Sequence, residues 1–420
     1  MLTRRHLLQG LGVAPLFLKS LAAEAAGTSD LIVVAILLEG GNDGLNTVVP
    51  LGQYGHYETL RTPAPPPDAS LALAYSEADL AATAFDPNPA TAAASATQFA
   101  FNPSMTAMRS LYATKKLAVI SGIGLPLAEI GSLNHGTAQQ DWQTGRINLG
   151  STAVPGWLGL TLDGAKTGTL GPTASLGGSS LLLTGNSTQP LTISPPLENF
   201  VFDYGNTDNW QALITASSDV LSMKTSNAAA LYDQGVVLSA QNAVSTVQAL
   251  ATAEPVATYP AAKTPLQSQL REIARMILGN AGVRGYCAVQ GSYDTHATQQ
   301  QTQPALLADL GTAMSDFFHY LRGHGASSNV VVVTLSDFGR RPGANLNFGT
   351  DHGAASVGFV LGDPIKGGVY GAYPSLSKLD VNGNLTVAID FRNLISDLIG
   401  AMGGNATTIL GQTYPRLGFI

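Results

Sequence analysis

Three short apolar runs, each closed by carboxylate or histidine side chains, constrain this chain more than any other feature. Val330 to Leu335 is almost continuously apolar and rich in β-branched residues. Such a run suits a strand buried on both faces, as in a parallel sheet covered by helices. Leu31 to Leu38 has the same character, and Val283 to Gln290 is a third strand-like stretch that also ends in a polar turn. Beyond the first run stand Asp337, Arg340 and Arg341, then a Gly/Asn-rich loop and Asp351-His352. Beyond the second stands Glu39-Gly-Gly-Asn-Asp43, and beyond the third Asp294-Thr-His296. Ligands of open α/β sheets lie outside the carboxyl ends of the strands. Each Asp taken singly is as well explained as a turn or helix cap; three strand ends loaded alike point to one convergent site.

The intervening sequence supplies the helices of such a fold. Met105, Met108, Leu111 and Tyr112 fall on one helical face, and Leu117-Ala-Val-Ile is the next strand, laid parallel to the first by a right-handed crossover. Residues 80–100 have little pattern and are expected to be irregular surface structure. Pro155-Gly-Trp157 opens a helix that packs its indole. Leu266 to Leu278, Leu306 to Leu321 and Phe391 to Gly400 carry helical apolar faces. Residues from about 207 to 260 are compatible with a helical insertion. The expected architecture is α/β, a mostly parallel central sheet flanked by helices, in one domain over residues 26–420.

Composition narrows the function. Charged residues are 12% of the 420 and the formal net charge is −7, which gives no reason to expect nucleic acid as a partner. A single cysteine, Cys287, excludes an intramolecular disulfide and a thiolate-rich zinc site. Paired Arg4-Arg5, an apolar stretch to Leu18 and Ala23-Glu-Ala25 form a twin-arginine export signal over residues 1–25, implying a periplasmic or secreted protein. No later segment gives a membrane-spanning apolar stretch.

Asp and His donors together suit a divalent metal ion such as Zn, Mn, Ca or Mg. Asp294 and His296 alternate along extended backbone and face one side; Asp43, Asp337 and His352 would complete the ligand set. Asn134, His135 and Thr137 crowd a predicted helix start, where positive potential suits an anion, although plain N-capping explains them equally. No Gly-x-Ser-x-Gly elbow, Walker lysine or dinucleotide-binding glycine spacing is present.

The twin-arginine leader and the stretches LEGGNDGLNTVVP, NHGTAQQDWQTG, PGWLGLTLD, GSYDTHATQ, TLSDFGRR and GTDHGAASVGFVLG together resemble the bacterial domain-of-unknown-function family numbered 1501, over nearly the whole chain after the leader. That family is similar to the alkaline phosphatase/sulfatase-like superfamily, which implies a metal-dependent hydrolase fold. The resemblance carries Asp43 over as the first-strand ligand. Asp294 and His296 become a metal-binding pair, Asp337 the later strand-end ligand and His352 the last histidine. Phe338 stands where the superfamily usually has a second histidine, which implies one metal rather than two. Asn134 stands where relatives carry Ser, leaving Ser132 or Thr137 to supply a hydroxyl nucleophile unless water attacks.

Two functions follow. One is an exported hydrolase of small phosphate or sulfate esters, with Arg340 or Arg341 gripping the anion. The other is a non-catalytic exported binding or surface-assembly protein on the same scaffold.

Overall fold

The structure is a computed structural model and describes residues 29–62, 71–87, 98–130, 133–149, 154–165, 170–197, 245–247, 249–250 and 256–420. The leader expected over 1–25 and most of the helical insertion expected over 207–260 lie outside those residues.

The strands, in chain order, are β1 (Ile32–Leu38), β2 (Val48–Pro50), β3 (Ala84–Phe85), β4 (Phe99–Phe101), β5 (Leu117–Gly124), β6 (Thr173–Ser175), β7 (Leu191–Thr192) and β8 (Gly285–Gln290), followed by β9 (Val330–Ser336), β10 (Gly339–Ala344), β11 (Thr350–Gly353), β12 (Ala355–Gly362), β13 (Gly368–Tyr370) and β14 (Ile389–Asp390). Nine of these form the central sheet among the described residues, in the order β13-β5-β12-β9-β1-β8-β6-β7, with β14 also on β5. All of its ladders are parallel except the two made by β12, which runs antiparallel between β9 and β5. The sheet is therefore mostly parallel and flanked by helices. Because β12 reverses between them, β5 still runs in the same sense as β1.

The apolar runs behave as their composition dictates. Val33, Val34, Ala35 and Ile36 of β1 are fully buried because both sheet faces are covered. One face packs under Pro265–Leu278, Gln303–Gly323 and Thr106–Ala113, the other under His135–Thr144, Trp157–Thr161 and Phe391–Ala401. Trp157 is completely buried in the second layer. One neighbourhood departs from expectation. Flanking the segment 88–97, which lies outside the described residues, Phe85 and Phe99 are buried core residues in a small antiparallel sheet ordered β2-β4-β3, where Phe85 stacks on Phe101 at 4.4 Å between ring centroids. Isolated pairs of aromatics give no period for a sequence pattern to reveal. Nor does the continuous burial of β12 disclose its direction.

Register positions the site. Leu38 lies opposite both Gln290 and Ser336, so β1, β8 and β9 end level. The segments beginning at Glu39, Gly291 and Asp337 thus leave the sheet side by side. Gly40, at φ +113°, has room for no side chain: a Cβ there would lie 2.3 Å from the Asp294 backbone nitrogen. That close approach brings the Asp294 loop across the end of β1.

Candidate metal centre

Four segments converge beyond the sheet end. His135 comes from the first residue of the helix His135–Thr144, Asp294 and His296 from the loop after β8, Asp337 from the end of β9, and His352 from β11. One ligand atom each from His135, Asp294 and His352 lie within 4.8 Å of one another. His135 Nε2 is 3.6 Å from Asp294 Oδ2, and His352 Nε2 is 3.5 Å from Asp294 Oδ1.

The second nitrogen of each ring explains why the rings point this way. His135 Nδ1 lies 2.7 Å from Asp337 Oδ2, and His352 Nδ1 lies 3.0 Å from the Leu133 carbonyl oxygen. A carbonyl only accepts, so His352 Nδ1 carries the proton and Nε2 keeps its lone pair; the Asp337 carboxylate selects the same tautomer at His135. Both Nε2 atoms are buried and have no hydrogen-bond partner among the described residues. Buried polar atoms are ordinarily paired, so two orphaned lone pairs converging on one carboxylate are the chemistry of a cation site. The residues present fit a divalent metal held by two imidazoles and one carboxylate, with coordination positions left open.

Charge agrees with that assignment. Burial pushes the Asp294 carboxyl up, but the Arg340 hydrogen bond and charge, with His296 and His135, outweigh it and hold the group below the usual carboxylate range. Burial lowers His352, and the nearby Arg340 and histidine charges add to it against the Leu133 hydrogen bond, favouring the neutral imidazole. Phe338 is buried with its ring 4.4 Å from that of His352 and 4.7 Å from that of His135, closing the inner side.

The remaining candidates take other positions. His296 is half-exposed on the rim, with Nε2 3.1 Å from Asp294 Oδ1 and Nδ1 3.4 Å from Asp351 Oδ1. Asp337 stands behind the ligands: its Oδ2 accepts from Gly40 N at 3.0 Å and Gln139 Nε2 at 3.3 Å besides facing His135. Asp43 does not reach the centre. It caps the short helix Gly44–Thr47, and its Oδ1 accepts from Leu45 N, Asn46 N and Arg61 Nη2 while Oδ2 accepts from Gln299 Nε2. Arg340 is wholly buried, and the carboxylate it holds is that of Asp294. Its guanidinium donates to Asp294 Oδ1 at 2.6 Å and to the carbonyls of Gly40, Gly41, Tyr293 and Thr350. Asn134 caps its helix by accepting from Thr137 N, and Thr137 is exposed. Ser132 lies outside the described residues. Arg341 Nε is buried without a partner among the described residues. Sequence reasoning did not assign Leu133 or Gln139; a backbone carbonyl and a mid-helix glutamine carry no signal of a ligand-orienting role.

A family model described as "Protein of unknown function (DUF1501)" matches residues 31–414. No curated protein matches. A solved structure described as "Crystal structure of Ps i-CgsB in complex with k-i-k-neocarrahexaose" is similar at a TM-score of 0.40 and 8% identity, covering 93% of this chain and 76% of that one; a likeness that low carries no argument about this chain. No helix among the described residues is long and apolar enough to cross a membrane.

Proposed function

The chain belongs to the DUF1501 family, and on that premise we propose that it is an exported, metal-dependent hydrolase of phosphate or sulfate esters, on a scaffold of the alkaline phosphatase/sulfatase kind. The observation that carries this reading is the pair of buried, unpartnered Nε2 atoms of His135 and His352 facing Asp294. His135, Asp294 and His352 would hold a divalent ion, which would supply Lewis-acid polarisation of an ester oxygen and a lowered water pKa. The chain's own groups do the rest. Asp337 and the Leu133 carbonyl fix the two imidazoles, and Arg340 holds Asp294 ionised. His296, oriented by Asp351, stands on the open side where substrate enters. With Arg340 consumed internally, Arg341, whose Nε has no partner among the described residues, would meet the anionic group of an ester. The leader over residues 1–25 supports export to the periplasm or beyond.

One observation favours a second reading, a non-catalytic binding protein. Thr137, the described hydroxyl candidate, is exposed, and among the described residues no hydrogen bond of its hydroxyl orients it toward the centre. Elemental analysis decides first. Near-stoichiometric Zn, Mn, Ca or Mg in the protein, lost in the Asp294→Ala/His352→Ala double variant, is the expected result, followed by turnover in a screen of aryl phosphates and sulfates. A folded wild type without bound metal overturns the metal reading; a metal-loaded protein inert towards every ester favours the binding protein.

A further inference from the structure

Behind the ligands lies a fully buried polar chain that the proposed chemistry does not use. Arg61 Nη2 donates to Asp43 Oδ1 at 2.6 Å, and Asp43 Oδ2 accepts from Gln299 Nε2 at 2.6 Å. Gln299 Oε1 in turn accepts from Thr350 Oγ1 at 2.6 Å and Thr295 Oγ1 at 3.0 Å. The side chains of Arg61 and Asp43 are 0% exposed, as is Gln299. Thr295 follows Asp294 directly, and Thr350 is two residues before His352. One amide oxygen therefore ties together the two chain segments that bring these ligands to the centre.

The backbone around Gln299 is held to the same purpose. Thr298 sits at φ +44°, a left-handed conformation that costs a β-branched residue energy. It is kept there by bonds from Thr298 N to Asn347 O and from Gln299 N to Phe348 O, which stitch the loop to the β10–β11 hairpin. Thr350 N donates to Thr295 O across the same seam. Gly349 makes the seam possible, since a Cβ there would lie 2.3 Å from the His296 carbonyl carbon.

We propose that Gln299, anchored by the Asp43–Arg61 pair, is the positioning residue that sets the spacing of Asp294 and His352 at the metal centre. The inference rests on the metal reading above. It also gives Asp43 a role: a carboxylate at the end of β1 that acts on the centre through Gln299 and not as a ligand. Groups that orient metal ligands typically cost about 10–100-fold in affinity when removed.

The test uses the metal-stripped full chain titrated with Co²⁺ alone, reading dissociation constant and visible d–d absorption, with the urea midpoint measured in parallel. Thr350→Val deletes one bond to Gln299, Thr350→Ser restores it, and Gln299→Met removes the hub. Expected are Co²⁺ affinity weaker by about 10-fold or more and an altered d–d band in Thr350→Val, with wild-type values in Thr350→Ser. Gln299→Met should show the same change, larger. A merely structural network would lower the urea midpoint and leave the spectrum and affinity of the folded protein alone. Wild-type affinity and band shape in Thr350→Val therefore overturn the inference even where Gln299→Met fails to fold. A wild type that binds no Co²⁺ overturns the metal reading, and this inference with it.

Discussion

Replacing Arg340 by methionine separates two views of this arginine, as a grip for substrate and as an internal brace. Methionine keeps the apolar stem and deletes the guanidinium. Four backbone carbonyls, of Gly40, Gly41, Tyr293 and Thr350, lose a donor, and Asp294 loses its cation. A stranded buried acceptor costs about 1–3 kcal/mol, less where water enters the vacated space. Asp294 is about half exposed, so its carboxylate rehydrates and its share is small. Four such acceptors would cost about 4–12 kcal/mol if all stayed dry, and water entry brings the expected loss to the lower end, about 4 kcal/mol. Urea denaturation of the metal-free wild type and Arg340→Met, with phosphate competition on the loaded protein, measures both sides. A stability change below about 0.5 kcal/mol together with lost phosphate affinity would refute the argument, since that is the signature of an exposed substrate contact.

Other outcomes follow from the same geometry. Asp337→Asn removes the charge that selects the His135 tautomer and should weaken cation binding about 10–100-fold with little loss of fold, as calorimetric titration would show. His352 and Asp294 are both lowered in the folded protein, so the unfolded chain binds more protons. These two groups therefore take stability away as pH drops, His352 below 6.5 and Asp294 below 3.8; the difference between wild-type and His352→Gln urea midpoints, followed from pH 8 to 5, isolates the first and should shrink as pH falls. Asp141 behaves oppositely. Burial, only partly offset by Arg392, raises its carboxyl to about 7, so its ionisation costs stability as pH rises through that value. Asp141→Asn should stabilise the protein at pH 8 by about 1–3 kcal/mol and hardly at all well below pH 3.8, where the acid is neutral in both states.

The sheet was legible because its signal is local. Runs such as Val330 to Leu335 need no partner to declare themselves, and the amphipathic helices Pro265–Leu278 and Phe391–Ala401 declare their faces by spacing alone. Residues of the centre were nominated by the same device, a polar side chain just past a buried strand. That device does not separate a ligand from a brace. Asp43, Asp294 and Asp337 look alike in sequence, and their fates differ through partners far along the chain: Arg61 and Gln299 for the first, Arg340 for the second, His135 for the third. Arg340 and Arg341 are likewise adjacent in sequence, and only the pairing of Arg340 with His352 in the β10–β11 ladder turns the first inward. Which residue faces in is settled by register and bulge, and neither is written in a short motif.

The ladder order has a consequence for synthesis. Among the described residues, β1 pairs only with strands from residue 285 onward, and β5 only with strands from 355 onward. A ribosome that has made the first half of this protein has therefore produced two bare, strongly apolar strands whose neighbours do not yet exist. Unpaired edges of that kind recruit other chains, so the growing polypeptide must be shielded until its last quarter emerges and the sheet closes nearly at once.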